Sequence, residues 1–394
     1  MDMVCVSENP HDWSLEWVTI IEENGVLRGN ATTLGADNGI GVAAMMAAAE
    51  LEKRPTLELL FTMGEEIGLI GAHHIDIPLT APYALNLDWC HSETIGIGCG
   101  GTLLMEWSYE MGKIEEPINS ETYELHVTGM RGGHSGVDIL DTRWNALVEL
   151  SKIITERTEI ISVSEIHGGD ADNAIPRSAK AIIQIQGDEK ALMGWMTEKA
   201  QSLQTITKTD TLSISLKKIE NRKNIYDKNI LQKFSFIESG VQIWSDDWHT
   251  PLSSWNLGKM KLIDWTLTWC YFLRTNIVGG IEPMREKIVS AFNSVSWVNF
   301  ELSHEWPVWL ADAHSPFVQW ILTSIKSYNG KSIPAITMHA TMEAGTLAEK
   351  FPETQWVSIG ASCHDMHTTR EHIYLADLEE FCGRFEKIIQ SYNA

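Results

Sequence analysis

Apolar and polar positions follow different rhythms in different parts of the chain. Between residues 31 and 117, helix-like and strand-like runs alternate, which predicts an α/β layer. Residues 42–51, rich in Ala and Met, predict a helix, and the short apolar runs 57–63 and 84–87 predict strands. Residues 94–109 alternate like a strand with a glycine corner. Ahead of these, 1–30 read as loop and hairpin with a turn at Glu22-Glu23-Asn24-Gly25. The pattern loosens at Gly112, Glu115, Glu116 and Pro117, where a domain boundary is expected. Next come predicted strands at 123–128, 160–167 and 179–186, with helices at 143–156 and 189–204. One long strand, 261–273, is expected to end at Arg274, followed by a helix at 282–292 and a strand at 296–302. From about Glu305 the α/β pattern resumes: helix 315–328, strand 333–338, a loop holding Glu343 and Gly345, strand 355–359 and helix 375–391. The first domain is therefore expected to be split into 1–117 and 305–394, with an α+β domain, 118–304, inserted into it. The fold class is α/β, a mixed sheet flanked by helices.

Composition narrows the picture. A chain of 394 residues with 44% hydrophobic content can bury a large core in two domains. No window of roughly eighteen apolar residues is present, which argues against a membrane span. The formal net charge of −23 argues against a nucleic-acid surface. Six scattered cysteines without a CxxC pair fit reduced thiols in a cytoplasm, and no secretory leader is visible. Tryptophans gather in 240–275 (Trp244, Trp248, Trp255, Trp265, Trp269), a density better explained by packing than by a binding groove.

The chemistry lies where acidic residues flank predicted elements. Thr33-Leu34-Gly35-Ala36-Asp37-Asn38-Gly39 precedes the first helix, Glu65-Glu66 follows the 57–63 run, and Asp88 follows the 84–87 run. Carboxylates delivered to one sheet edge are costly to hold together unless a cation neutralises them. Asp37 is a candidate bridge between two ions, with Glu66 and Asp88 each serving one. His367, in the loop Cys363-His364-Asp365-Met366-His367, is the best imidazole candidate, although a lone loop histidine is ordinarily solvated. Of the adjacent pair, one glutamate can bind metal while Glu65 handles a proton; a helix N-terminus that favours acids is the plainer reading. Gly96-Ile97-Gly98-Cys99-Gly100-Gly101 fits GxGxxG, but a strand pattern follows it, not the helix a dinucleotide site needs. His134, among Gly132, Gly133 and Gly136, is a candidate to reach a substrate oxygen, with a surface-turn histidine as the plainer reading, and Arg274 a candidate to hold a carboxylate, with a surface ion pair as the plainer one.

Taken in order, residues 32–41, 62–66, 132–136, 173–177, 339–345 and 357–367 resemble the bacterial aminoacyl-histidine dipeptidases, carnosinase-like members of the two-zinc metallopeptidase and deacylase superfamily. The resemblance is weak across 186–255. It implies that Asp37 bridges two zinc ions (with Co2+ or Mn2+ as alternatives) and is followed by a cis peptide. It implies Glu66 and His367 on one zinc, Asp88 on the other, and Glu65 as general base. Asp2 would orient a zinc-bound histidine, His134, Asn173 and Arg274 would bind the scissile carbonyl oxygen and the substrate's carboxylate, and Glu343 would lie near its amino end. The implied activity is hydrolysis of short peptides such as Xaa-His dipeptides by a hydroxide held between the metals. The split domain would be catalytic and the insert a lid through which a homodimer forms. In the family a histidine ligand lies two residues before the acid matched by Asp2, a position ahead of Met1, so an N-terminally truncated chain is expected. An N-acyl-amino-acid deacylase, a carboxypeptidase and a non-catalytic metal-binding remnant are the alternatives.

Overall fold

A computed structural model describes residues 3–392, apart from 142, 208, 210, 223, 246–249, 296 and 297. Asp2 and Trp248 lie outside the described residues. The chain forms two compact units, Met1–Gly100 with Pro307–Ala394, and Gly101–Trp306. The first boundary thus falls at residue 100 and not 117. The 94–109 run, expected as one strand, breaks at Gly100 into Ile95–Cys99 of the first unit and Gly101–Glu110 of the second. The Gly100 amide donates to Met338 and Ala340 carbonyls (3.0 and 3.1 Å), a last tie to the first unit.

In the first unit a mixed sheet runs Trp309–Leu310, Ile95–Cys99, Gln355–Ser358, Tyr83–Asn86, with Ala335–Met338 parallel to Ile95–Cys99. Helices Ala36–Glu50, Pro316–Asn329 and Leu375–Ser391 accompany it. Pro316–Asn329 is capped by Ser315, whose Oγ accepts the Val318 amide. Ala44, Ile97, Ile321, Val357 and Ile388 share one buried cluster. An antiparallel hairpin, Ile20–Glu23 and Val26–Gly29, turns at Asn24-Gly25, both at positive φ, and takes His372–Tyr374 as a third strand.

Residues 57–63 are not a strand. They run without a sheet partner among the described residues. Tyr83–Asn86 is an edge strand among the described residues, and the 57–63 run does not pair with it; residues 57–62 instead line a cavity of about 770 Å³. The expected loop at Glu343 is a helix, Glu343–Lys350. Gly345 serves packing there: a Cβ would meet Cys99 Sγ at 2.8 Å.

In the second unit, among the described residues, a nine-stranded antiparallel sheet runs in the order Ser213–Lys218, Glu121–Thr128, Ala179–Ile185, Ile160–Gly168, Pro251–Ile263, Thr266–Thr275, Gly101–Glu110, Val298–Trp306, with Gly240–Trp244 beside Pro251–Ile263. The single strand expected at 261–273 instead spans the end of Pro251–Ile263, a turn and most of Thr266–Thr275, the two strands of a hairpin. It turns at Asp264-Trp265, where Asp264 takes φ 55 and Ile263 pairs Thr266. Helices Ala146–Glu156 and Glu189–Thr207 pack onto the sheet, the first capped by the Asn145 side chain, which accepts from Leu147 and Val148 amides. Trp255 and Trp269 are buried in this core, as the packing reading expects, whereas Trp244 and Trp265 are exposed.

Candidate active site

The first unit gathers its acids where its parallel strands end. Tyr83–Asn86 and Gln355–Ser358 run parallel in register, so the chain leaving each emerges at one sheet edge, the usual position for a site in such sheets. The first strand delivers Asp88, whose amide is held by the Asn86 side chain at 3.1 Å. The second leads to the loop carrying His367. Asp37 stands at the start of helix Ala36–Glu50, after Gly35 at φ 74, and the Asp37–Asn38 peptide is cis.

Asp37, Glu66 and His367 converge: one ligand atom from each lies within 4.8 Å of the others. His367 Nε2 is 3.2 Å from Asp37 Oδ2 and 3.3 Å from Glu66 Oε2. Ligands about 2.0–2.2 Å from a tetrahedral ion stand roughly 3.3–3.6 Å apart, so this N/O set fits a zinc-sized cation with little adjustment. Asp88 is half-buried and reaches Asp37 through a side-chain hydrogen bond. Asp37 thus lies in contact with His367 and within hydrogen-bonding reach of Asp88.

The electrostatics point the same way. Burial, then the charges of Asp88, Glu66, Glu343 and Asp37, push Glu65 up to about 9. Asp88 is also raised, by burial and then by Asp37 and Glu343. His367 rises to about 10 because Asp37 and Glu66 hydrogen-bond its protonated ring. Carboxylates that hold protons this tightly lack positive charge nearby, and a divalent ion supplies it. The cavity of about 770 Å³ takes in Asp37, Glu65, Glu66, Asp88 and Glu343.

A second cluster lies within the other unit. His134 Nδ1 accepts the Gly136 and Val137 amides at 3.3 and 3.2 Å, which places the proton of a neutral ring on Nε2. That nitrogen faces Arg274 Nη2 at 3.3 Å, and Arg274 Nε donates to Ser135 Oγ. Arg274 is 3% exposed, and burial pulls it down to about 9. A neutral His134 and the buried Arg274 thus turn N–H groups toward one place, a chemistry that suits an oxyanion or carboxylate. Asn173 stands close by in sequence and fold; its carbonyl accepts the Ser135 amide at 2.8 Å, and the residue is exposed. Glu343, in the first unit, accepts from Thr62 Oγ1 at 2.8 Å. The GxGxxG stretch forms two strands and opens no helix.

The sequence reading missed Glu371, which is 2% exposed and accepts from the backbone just before Asp37. In Thr368-Thr369-Arg370-Glu371 it looks like one more surface charge. Only its four-residue offset from His367 hinted otherwise.

A family model for peptidase family M20/M25/M40 matches residues 1–391. The chain belongs to that family. M20 peptidases are generally metal-dependent, and Asp37, Glu66 and His367 are a group that could hold an ion. The cytosol non-specific dipeptidase of Escherichia coli (strain K12) is 26% identical over 412 residues, covering 100% of this chain and 84% of that protein. The crystal structure of aminoacylhistidine dipeptidase from Vibrio alginolyticus matches with a TM-score of 0.84 at 23% identity, over 100% of this chain and 83% of that one. A tripeptidase from Staphylococcus aureus subsp. aureus Mu50 matches at a TM-score of 0.50 and 14% identity, over 95% of this chain and 76% of that one. At these identities the two structures establish a shared mixed α/β fold. No helix among the described residues is long and apolar enough to cross a membrane.

Proposed function

We propose that this M20 peptidase is a cytoplasmic dipeptidase that hydrolyses short peptides, Xaa-His dipeptides among them, with two zinc ions as cofactor. The observation that carries the reading is the meeting of Asp37, Glu66 and His367, with Asp88 on Asp37 and Glu65 alongside. Asp37, Glu66 and His367 would hold one ion, and Asp37 and Asp88 would contribute to the other; cobalt or manganese would suit the same donors. When bound, the ions polarise the scissile carbonyl and make water a stronger acid.

The remaining chemistry belongs to the chain. Glu65 is crowded by other carboxylates, so its carboxylate is a strong base in this pocket. It takes the proton of the attacking water and delivers it to the leaving amine. On the family resemblance alone, His134 would donate through Nε2–H to the oxygen that gains charge as the carbonyl becomes tetrahedral. Arg274, a buried cation seeking an anion, pairs with the substrate's free carboxylate, which limits the enzyme to peptides with a nearby C-terminus. Asn173 and Glu343 hold the polar ends of the substrate, and the 118–304 segment supports a homodimer; these assignments rest on the family resemblance.

Glu65→Ala tests the reading. Metal content should be retained while turnover of β-alanyl-histidine falls roughly 10²–10⁴-fold. Retained turnover removes Glu65 from the mechanism. A panel of dipeptides, acylated amino acids and longer peptides tests the substrate class; preference for acylated amino acids makes the chain a deacylase instead.

A further inference from the structure

Glu371 is a carboxylate with almost no contact with water, and four consecutive backbone amides point at it. Its Oε2 accepts from Leu34 and Gly35 at 2.9 and 3.2 Å, and its Oε1 from Ala36 and Asp37 at 2.8 and 3.3 Å. Cys363 Sγ lies 3.8 Å from Oε1 as a further donor. These amides belong to the turn that presents Asp37. The carboxylate also belongs to the loop that presents His367. That loop is pinched at its base by paired hydrogen bonds between His364 and His372 (3.0 and 3.1 Å). It is braced inside by the Glu371 amide on the Thr368 carbonyl (3.1 Å) and by Thr368 Oγ1 on the Asp365 carbonyl (2.7 Å). One side chain therefore joins two segments more than three hundred positions apart, each carrying a donor of the candidate metal centre.

We propose that Glu371 is the positioning residue of this centre. By satisfying the 34–37 amides it fixes where Asp37 stands relative to His367, and so sets the donor spacing a divalent ion meets. Only an ionised carboxylate of glutamate length accepts at both oxygens. Glutamine keeps the shape but turns an NH2 toward two amide donors, and aspartate is one methylene short of them. Partners that orient ligands in this way commonly control metal affinity by about 10–100-fold. The inference rests on the metal-site reading above but not on the substrate or the reaction.

The experiment is a titration of metal-free wild type, Glu371→Gln and Glu371→Asp with Zn2+ and with Co2+, following affinity and the Co2+ visible spectrum, with circular dichroism to check the fold. Both variants should fold, bind the tighter ion about 10–100-fold more weakly, and show an altered Co2+ spectrum, aspartate less affected than glutamine. Unchanged affinity and spectrum in the folded variants overturn the proposal. If only one variant folds, it decides the matter by the same criterion. If neither folds, Glu371 supports the unit as a whole and the positioning role is lost. Wild type that binds metal but cleaves no peptide defeats the proposed reaction and leaves this inference standing; wild type that binds no metal defeats the site reading itself.

Discussion

The two units solve opposite problems. The 101–306 unit buries apolar side chains between long antiparallel strands and helices: Leu125, Leu147, Ile153, Ile183 and Tyr271 have essentially no exposed surface. Its buried Glu149 is paired, lying between Lys152 and Lys199. The other unit has shorter strands and spends its sheet edge on carboxylates that repel one another. One unit is held by what it removes from water; the other carries a cluster that needs a cation to be comfortable. Order in the loops around Asp37 and His367 should therefore depend on metal, and order in the second unit should not.

The most forceful way to break that contrast is chelation. Removing metal should abolish hydrolysis and speed hydrogen exchange of the 34–41 and 363–372 amides, while Glu121–Thr128 and Ala179–Ile185 keep their protection. Equal loosening in both units would erase the distinction. Ile183→Ala cuts the opposite way. It should cost about 2–5 kcal/mol in denaturant unfolding, as for other large-to-small core changes, while leaving zinc affinity of the folded protein unchanged. Smaller again is Arg274→Lys, which keeps the charge but loses the planar fork. It should raise KM for free dipeptides roughly tenfold, with kcat much less affected. A carboxyl-blocked peptide should be insensitive to it.

The mildest effect is on pH dependence. Folding raises Glu65 to about 9 and His367 to about 10, and raises Asp88 as well. The folded metal-free chain thus holds more protons than the unfolded chain, from the ordinary carboxylate range near ~4 upward. Stability from these groups is complete at the acidic end and is lost as pH rises through the raised values. Melting temperature of the chelated protein should fall between pH 5 and 9 (roughly the window those shifts define), and the zinc-loaded protein should not show this decline. Zinc binding should release protons, measurable by calorimetry in buffers of different ionisation enthalpy.

Legibility in the sequence divides along the same line. Elements whose burial is decided by their own pattern were readable, such as helix Leu375–Ser391 and strand Glu121–Thr128, which alternates buried and less buried positions. Elements decided by neighbours were not. The 57–63 run is apolar enough for a strand but finds no ladder, and the Asp264-Trp265 turn lacks the glycine that advertises a hairpin. Gly345 reads as a loop residue and is instead a helical contact with Cys99. The acidic positions Asp37, Glu66 and Asp88 were legible because charge at predicted element ends is conspicuous. Glu371 was not, because its meaning lies in four backbone amides that no sequence pattern displays.

Anomalous diffraction at the zinc edge from crystals grown with zinc tests the central claim most directly. The account predicts a peak within bonding distance of Asp37, Glu66 and His367 together, and a second ion a few ångströms away shared by Asp37 and Asp88. Zinc found only on surface histidines, with these four side chains pointing at no common centre, would contradict it.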